Sequence, residues 1–463
     1  MDGRPRSHEQ VPSLPVEDVI GSLRATFEAG STTELRWREQ QLEALSTLLR
    51  ERHGELVEAV VADMGRPRVE AWLTDVVPPG VEAEHARRHL RAWARPRRAR
   101  LPVHVLPGSA WSFPRPKGVV LIVGPWNYPV QLTLSPLVGA LAAGNAVVIK
   151  PSELAPATSA VLARLLPEYV DPAAVAVVEG GADVTHEIIG AGVDHVFFTG
   201  GSAAGRAVAV AAADRLIPVT LELGGKSPTV ICRDADLDVA ARRVAWGKLV
   251  NGGQTCIAPD YVLVDRAVAD AFTDKLVRHL RTAPASTPVV NDHHLERLLG
   301  LLGSHGGTTL TGGAVDRDRR VVSPTVILDP DRSSPLMREE IFGPILPVLT
   351  TDGLHDAVRF IQSRPNPLAA YVFTKSKDVQ RTFAQQVQAG SVGINHVLYQ
   401  VLVPDLPFGG SGASGSGAYH GVHGFRTFSQ QTAVHRRPTR PDLGLFYPPY
   451  TKVKERIFRA LLP

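Results

Sequence analysis

Cysteine is nearly absent from this chain: Cys232 and Cys256 are the only two in 463 residues. Two thiols cannot build a disulfide framework or a four-cysteine zinc site, and a reducing compartment suits them. The histidines, Asp292-His293-His294 among them, show no metal spacing such as H-E-x-x-H. They read as surface, and no metal is expected. No G-x-S-x-G elbow is present, which weakens a serine-hydrolase reading. Residues 1–15 have no apolar core of the kind a signal peptide needs. The longest uncharged run, 118–149, is broken by Pro125, Pro129, Pro136, Gly144 and Asn145. It reads as strand, loop, helix and strand rather than as a membrane span. Net charge is only +4, with basic residues scattered and no aromatic interleaving, so no nucleic-acid partner is expected. The remaining class is a soluble, cytoplasmic globular protein, long enough for two or three domains.

β-Branched runs at 118–124, 146–149, 175–178, 195–199 and 219–223 alternate with helical stretches ending near 143, at 158–169 and near 214. That alternation predicts a parallel, doubly wound sheet, with ligands beyond the carboxyl ends of its strands. Asn127, Lys150, Gly200 and Glu222 all fall at such ends. From Gly224 the α/β alternation repeats at 229–232, after Asp238, and at 261–264, 345–349 and 370–374. This predicts a second, smaller α/β domain with Cys256 near its face. Segments 97–111 and 426–435 fit neither domain and could pair as an outlying β-arm of the sort used in dimers. Upstream, residues 1–30 read as an arm and a first helix. Ser31-Thr32-Thr33-Glu34 has capping-box spacing before a helix carrying Leu35, Leu42, Leu45 and Leu49. Another helix, 54–64, ends at Gly65.

The chain turns on Asn251-Gly252-Gly253-Gln254-Thr255-Cys256, a Gly-rich loop between a helical segment and the apolar strand at Tyr261. Such a loop can present a side chain to a ligand, although most lone cysteines are inert core. Cys232, in an apolar run, reads as inert core. Glu222 leaves its strand just before Gly224-Gly225-Lys226. It is either solvated or paired with Lys226, or else a general base beside a nucleophile. Gly200-Gly201-Ser202-Ala203-Ala204-Gly205, between strand and helix, could face a phosphate or merely permit a tight turn. Arg206-Ala207 rules out a Walker loop. Gly410-Ser411-Gly412-Ala413-Ser414-Gly415 matches G-x-G-x-x-G but lacks the strand–helix context, so it reads as a flexible loop.

Taken together, six ordered motifs resemble the NAD(P)-dependent aldehyde dehydrogenase superfamily, most closely its class 3 branch, from about residue 20 to 450. They are Pro125-Trp126-Asn127-Tyr128-Pro129, Lys150-Pro151-Ser152-Glu153, Leu221–Pro228, Gly253–Tyr261, Glu339–Pro344 and Leu406–Gly410. The resemblance implies two doubly wound α/β domains, cofactor-binding and catalytic, plus a small β-arm for oligomerisation. It assigns 1–95 and 118–222 to cofactor binding, 223–405 to catalysis, 96–117 and 406–440 to the arm, and 441–463 to a tail. It implies oxidation of an aldehyde to the acid, with Cys256 as nucleophile, Asn127 as oxyanion donor and Glu222 activating the hydrolytic water. The cofactor would meet Pro125, Trp126, Lys150, Glu153, Gly200, Ser202, Gly205, Leu223, Gly224, Glu340 and Phe342. NAD is favoured because Glu153 would repel a 2′-phosphate, with NADP possible. A homodimer and a long-chain or aromatic aldehyde are carried over from class 3, with Trp111, Tyr128 and Tyr399 as candidate pocket walls. His420 matches a class 3 position whose role is open. Gly201 and Gly252 depart from the usual motifs, 281–295 looks short, and the tail is too short to span a bilayer. The alternatives are a thioester- or ester-processing enzyme on the same cysteine, and a non-catalytic nucleotide-binding relative.

Overall fold

The computed structural model describes residues 14–283, 287–442 and 444–461. The expected arm before residue 14 and part of the short 281–295 region lie outside them. Among the described residues the strands are, in chain order, β1 (Arg97–Ala99), β2 (Ser109–Pro116), β3 (Val119–Val123), β4 (Ala146–Lys150), β5 (Val175–Val177), β6 (His195–Gly200), β7 (Val219–Leu223), β8 (Pro228–Ile231), β9 (Tyr261–Asp265), β10 (Thr308–Thr311), β11 (Val315–Asp316), β12 (Val321–Val322), β13 (Thr325–Leu328), β14 (Ile345–Thr351), β15 (Ala369–Phe373), β16 (Ser391–Ile394), β17 (Gly415–Ser416) and β18 (Ser429–Arg436).

The first sheet has the order β17-β7-β6-β3-β4-β5, all parallel except β17. Every residue of β3 and β4 is buried, as expected of parallel strands covered on both faces. The chain steps outward from β3 to β4 and β5, then returns to lay β6 and β7 on the other side of β3. Strand order therefore reverses between β3 and β6, and the crevice for a ligand lies past Val123 and Gly200. The helix Gln131–Ala143 follows β3, is apolar all round and is buried at every position. It stops at Gly144, whose φ of 90° ends the helix left-handed. Helices Leu35–Glu51 and Val77–Trp93 pack on it.

The second sheet runs β10-β13-β14-β9-β8-β15-β16, with only β10 antiparallel. It has seven strands against six in the first. The strands missed, β10, β13 and β16, are four residues each and lack a long apolar run. The arm is a three-stranded sheet, β1-β2-β18, with Ser109 opposite Arg436 and Pro116 opposite Ser429. Arg426, expected in the arm, lies in the last turn of the helix Gly421–Thr427 instead.

The segment 406–440 does not act as one arm. β17 extends the first sheet, the helix Gly421–Thr427 packs on Gln131–Ala143, and only β18 joins the arm. Nor is 410–415 a loose loop: the buried Ser414 accepts from Leu223 N–H at 3.1 Å and so stitches the loop to β7. The capping box is also not made. Ser31–Thr33 forms a single 3₁₀ turn, and Arg38 reaches back to the Thr32 and Thr33 carbonyls at 3.3 and 2.7 Å.

Candidate active site

A cavity of about 760 Å³ opens at the reversal point between β3 and β6. Asn127, Glu222 and Cys256 line it, and so do Lys150, Glu153, Gly200 and Ser202. Pro125, Trp126, Leu223, Gly224, Glu340 and Phe342 complete the set of predicted residues that face it. Gly205 does not. A Cβ there would stand 2.6 Å from Leu223, so this glycine lets the helix Ser202–Ala213 approach β7.

Cys256 is delivered by an unusual turn. Asn251, Gly252 and Gly253 are consecutive left-handed residues, with φ of 52°, 60° and 77°. Asn tolerates this region better than most side chains, and Gly tolerates it freely. A Cβ on Gly253 would also lie 2.4 Å from the Gly343 carbonyl, so both φ and space require glycine. Side chains lock the turn: Asn251 Nδ2 donates to the Asn127 carbonyl at 2.9 Å, and Gln254 Nε2 donates to the Pro288 carbonyl at 3.0 Å. Asn127 Nδ2 donates to the Gln254 carbonyl at 3.0 Å. One of its two N–H bonds is thus spent on position, and the other is available to a ligand. Burial, with the Glu340 and Glu222 carboxyls nearby, pushes the Cys256 thiol up to about 12, against which its own N–H and that of Ile257 act.

Glu222 is 3% exposed, and neither carboxylate oxygen has a hydrogen-bond partner. Burial raises its pKa well above the ordinary carboxylate value. Both alternative readings fail. The residue is not solvated, and Lys226 is committed to Asp260 and to the Leu336 and Glu339 carbonyls at 2.8 and 2.7 Å. A carboxyl held without a partner beside a thiol is a candidate general base.

At the other end, Lys150 Nζ donates to Glu153 at 2.8 Å and to the Gly180 carbonyl at 2.9 Å. Burial opposes the Glu153 charge, but the Lys150 hydrogen bond and the residue's own N–H outweigh it and keep the carboxyl below its usual range. The helix Ser202–Ala213 begins at Gly201 with no side-chain cap, so its first N–H groups face the cavity unclaimed. Gly201 has an ordinary φ of −73°, and a Cβ there would meet no atom within 4 Å, so its departure from the usual motif costs no geometry. Glu340 lies against Gly224, where a Cβ would be 2.0 Å from its carboxyl oxygen. Burial pushes Glu340 to about 8. Phe342 meets Trp126 edge-on at 5.4 Å. An anion site on helix N–H groups, an apolar wall and paired polar groups fit a dinucleotide.

Several residues that shape the site were not foreseen. Asp75 pairs with Arg66, both fully buried, and accepts from the Val130 and Gln131 N–H groups at 3.0 and 2.6 Å. Arg66 lies 4.9 Å from the Tyr128 ring, and the Tyr128 hydroxyl bonds Thr255 at 2.6 Å. Glu70 accepts from Asn251 N–H at 2.8 Å. No local signal marked Arg66 and Asp75, which stand among the charges Asp63, Arg68 and Glu70. His294 is not surface: it walls the cavity against Trp126, and burial lowers its pKa to about 4. His195 and His420 are buried as well. None of the three proposed pocket walls lines this cavity: Trp111 lies in β2 of the arm, Tyr128 is buried with its hydroxyl on Thr255, and Tyr399 is half-exposed and stacked on His396.

The model of the "Aldehyde dehydrogenase family" matches residues 10–434. Mouse "Aldehyde dehydrogenase family 3 member A2" is 42% identical over 449 residues, covering 95% of this chain and 92% of its own. Rat "Aldehyde dehydrogenase, dimeric NADP-preferring" is 40% identical over 430 residues, covering 91% and 93%. A solved structure, the "Substrate bound state of Staphylococcus Aureus AldH", superposes with a TM-score of 0.92 at 37% identity, covering 97% of this chain and 100% of that one.

Proposed function

The chain belongs to the aldehyde dehydrogenase family and is an NAD(P)-dependent oxidoreductase, and we propose that it works through a thioester on Cys256. A thiol raised to about 12 is protonated at neutral pH, so it needs a base. Glu222 serves as that base when ionised. Sγ attacks the aldehyde carbon, and the second N–H of Asn127 Nδ2 with the Cys256 N–H holds the oxyanion. A nicotinamide held beside Glu340 and Phe342 would supply the acceptor for the hydride leaving that carbon. Once the thiol's proton has left it, Glu222 takes a proton from water, the hydroxide adds to the thioester, and the C–S bond breaks to release the carboxylic acid and a thiolate that recovers a proton from Glu222.

The observation that carries this reading is the pairing of a partnerless carboxyl with a thiol on one cavity at the strand-order reversal. The test is reduced-nicotinamide absorbance across short, long-chain and aromatic aldehydes, with Cys256→Ala alongside. Turnover abolished in the variant is expected. Equal silence of both proteins, with NAD still bound, would remove the catalytic reading in favour of a binding relative.

The finer assignments belong to the same proposal. Residues 1–95 and 118–222 carry the cofactor, 223–405 carry the nucleophile, and 441–463 form a tail. The arm of β1, β2 and β18 joins two copies, as a homodimer. Lys150, Glu153, Gly200, Ser202 and Glu340 hold the cofactor, which is NAD by preference because Glu153 repels a 2′-phosphate, with NADP accepted. Among the described residues no helix is long and apolar enough to cross a membrane, and a cytoplasmic site of action fits the two free thiols.

A further inference from the structure

Buried polar atoms without partners are uncommon in folded proteins, and each calls for an explanation. In this chain several of them form a row that starts at the candidate base. Both Glu222 oxygens, the Tyr419 hydroxyl, Glu82 Oε2 and His420 Nε2 are buried without hydrogen bonds. Glu222 and Tyr419 line the same cavity as Cys256. The Tyr419 hydroxyl, 1% exposed, is within electrostatic reach of Glu222 on one side and Glu82 on the other. Glu82 Oε2 faces His420 Nδ1 at 3.4 Å, and both side chains are almost fully buried. His85 follows Glu82 by three residues on the helix Val77–Trp93, and so shares its face. Its Nε2 stands 3.3 Å from Asp405, whose side chain is 81% exposed. These groups are spread from the buried base toward solvent, with close approaches at Glu82–His420 and His85–Asp405.

The backbone gives a second sign. His420 has φ 73° and ψ 136°, a conformation that costs a non-glycine residue about 1–3 kcal/mol. Such strain persists where the surroundings hold it, and it clusters at functional sites.

We propose that Tyr419, Glu82, His420 and His85 form the proton exit of Glu222. The proposal rests on the Cys256–Glu222 reading above. Each turnover brings Glu222 two protons: water's, taken as its O–H breaks, C–O forms and C–S breaks, returns to the departing thiolate, and the thiol's, taken when Sγ attacks, is left over. That proton must go before the base can act again. Glu222 hands it to the Tyr419 oxygen as the tyrosine passes its own to one oxygen of Glu82 and Glu82 gives up the proton on its other oxygen to His420, so no charged tyrosine and no doubly protonated carboxyl is formed. His420 and His85 then carry it to Asp405 and water. The groups facing the row are few. Tyr419, His420 and Ser135 surround Glu82, whereas His89, Arg88 and Asp405 surround His85, with His423 and Arg426 beyond. Burial pushes Glu82 up to about 8 and His420 down to about 4, so both are neutral near pH 7. Neutral partners can relay a proton without leaving a charge in a low-dielectric interior.

The test is rapid mixing of the full enzyme with aldehyde and NAD in light and heavy water. Reduced nicotinamide is followed, and the acyl adduct on Cys256 is weighed by mass spectrometry. In Glu82→Gln and His420→Gln the first-turnover burst is expected to keep its size. Later turnover should fall about tenfold, short of the ~10²–10⁴ for loss of the base itself, with acyl-enzyme accumulating and a larger solvent isotope effect. His85→Gln lies at the end nearest solvent, beside the exposed Asp405. Its turnover should fall at low buffer and recover in a concentrated small buffer base. Wild-type turnover in all three variants overturns the relay, and so does loss of burst and turnover together in the two buried variants. A wild-type enzyme that forms no acyl adduct overturns the Cys256 reading, and the relay with it.

Discussion

The two cysteines sit in opposite surroundings and yet share one acidity. Burial pushes both thiols up to about 12. Cys232 follows β8 in the core of the second sheet, with Asp234 and Asp265 nearby, and does not line the cavity. Cys256 opens onto the cavity beside an unpaired carboxyl and an amide with a free N–H. A raised pKa therefore does not separate an inert thiol from a reactive one. The difference lies in what stands next to the sulfur: a base to take the proton and donors to hold the oxyanion.

The sharpest way to break this comparison is to delete each thiol in turn. Cys256→Ala should abolish aldehyde oxidation while the protein still binds NAD. Cys232→Ala should keep wild-type kcat and cost about 1 kcal/mol of stability, as a modest core truncation does. Thermal melts and initial rates on both variants decide it, and comparable loss of activity in the two would end the distinction.

Next in size is the base. Glu222→Gln should lower steady-state turnover by ~10²–10⁴. The same substitution should stabilise the fold at alkaline pH, and the sign follows from linkage. The folded pKa of Glu222 lies above its unfolded value, so the neutral form is favoured in the folded state. That contribution is complete below the unfolded pKa and is lost as pH rises through the folded one. The melting temperature of Glu222→Gln should therefore overtake wild type as pH rises. Turnover of the wild type should rise over the same range, because only ionised Glu222 can accept a proton.

Asn127→Ala should cost ~10²–10³ in kcat, the usual loss for one oxyanion donor. It should also loosen the Cys256 turn, because Asn127 Nδ2 holds the Gln254 carbonyl. A kcat loss much smaller than this would reduce Asn127 to a brace for the loop.

What could be read from the chain before its fold was known follows the same division. β3, β4, β6 and β7 announce themselves as β-branched runs, and the residues at their carboxyl ends, Asn127, Lys150, Gly200 and Glu222, do meet in one cavity. The four-residue strands β10, β13 and β16 carry too short a pattern to stand out. Residues whose role depends on distant partners were illegible. Arg66 and Asp75 look like surface charge until the fold buries them against the start of the helix Gln131–Ala143. The pairing of His420 with Glu82 spans more than three hundred positions, and no local spacing encodes it. Gly410–Gly415 has the composition of a flexible loop, yet Gly415 serves close backbone approach to β7, a contact that local sequence does not announce.

The smallest effect expected concerns the far end of the cavity, where the contrast between paired and unpaired groups reverses. Glu222 is free to react, whereas Lys150 and Glu153 already neutralise each other at 2.8 Å. In Glu153→Gln the carboxylate that would repel a 2′-phosphate is gone, and the Lys150 ammonium loses its anionic partner. Both changes favour NADP over NAD. Glu153 is half-exposed, so solvent screens the interaction, and about 1 kcal/mol is the reasonable scale. That corresponds to a roughly fivefold rise in the ratio of kcat/KM for NADP to that for NAD. An unchanged ratio would mean that the pair fixes the end of β4 and that cofactor choice is made elsewhere in the cavity.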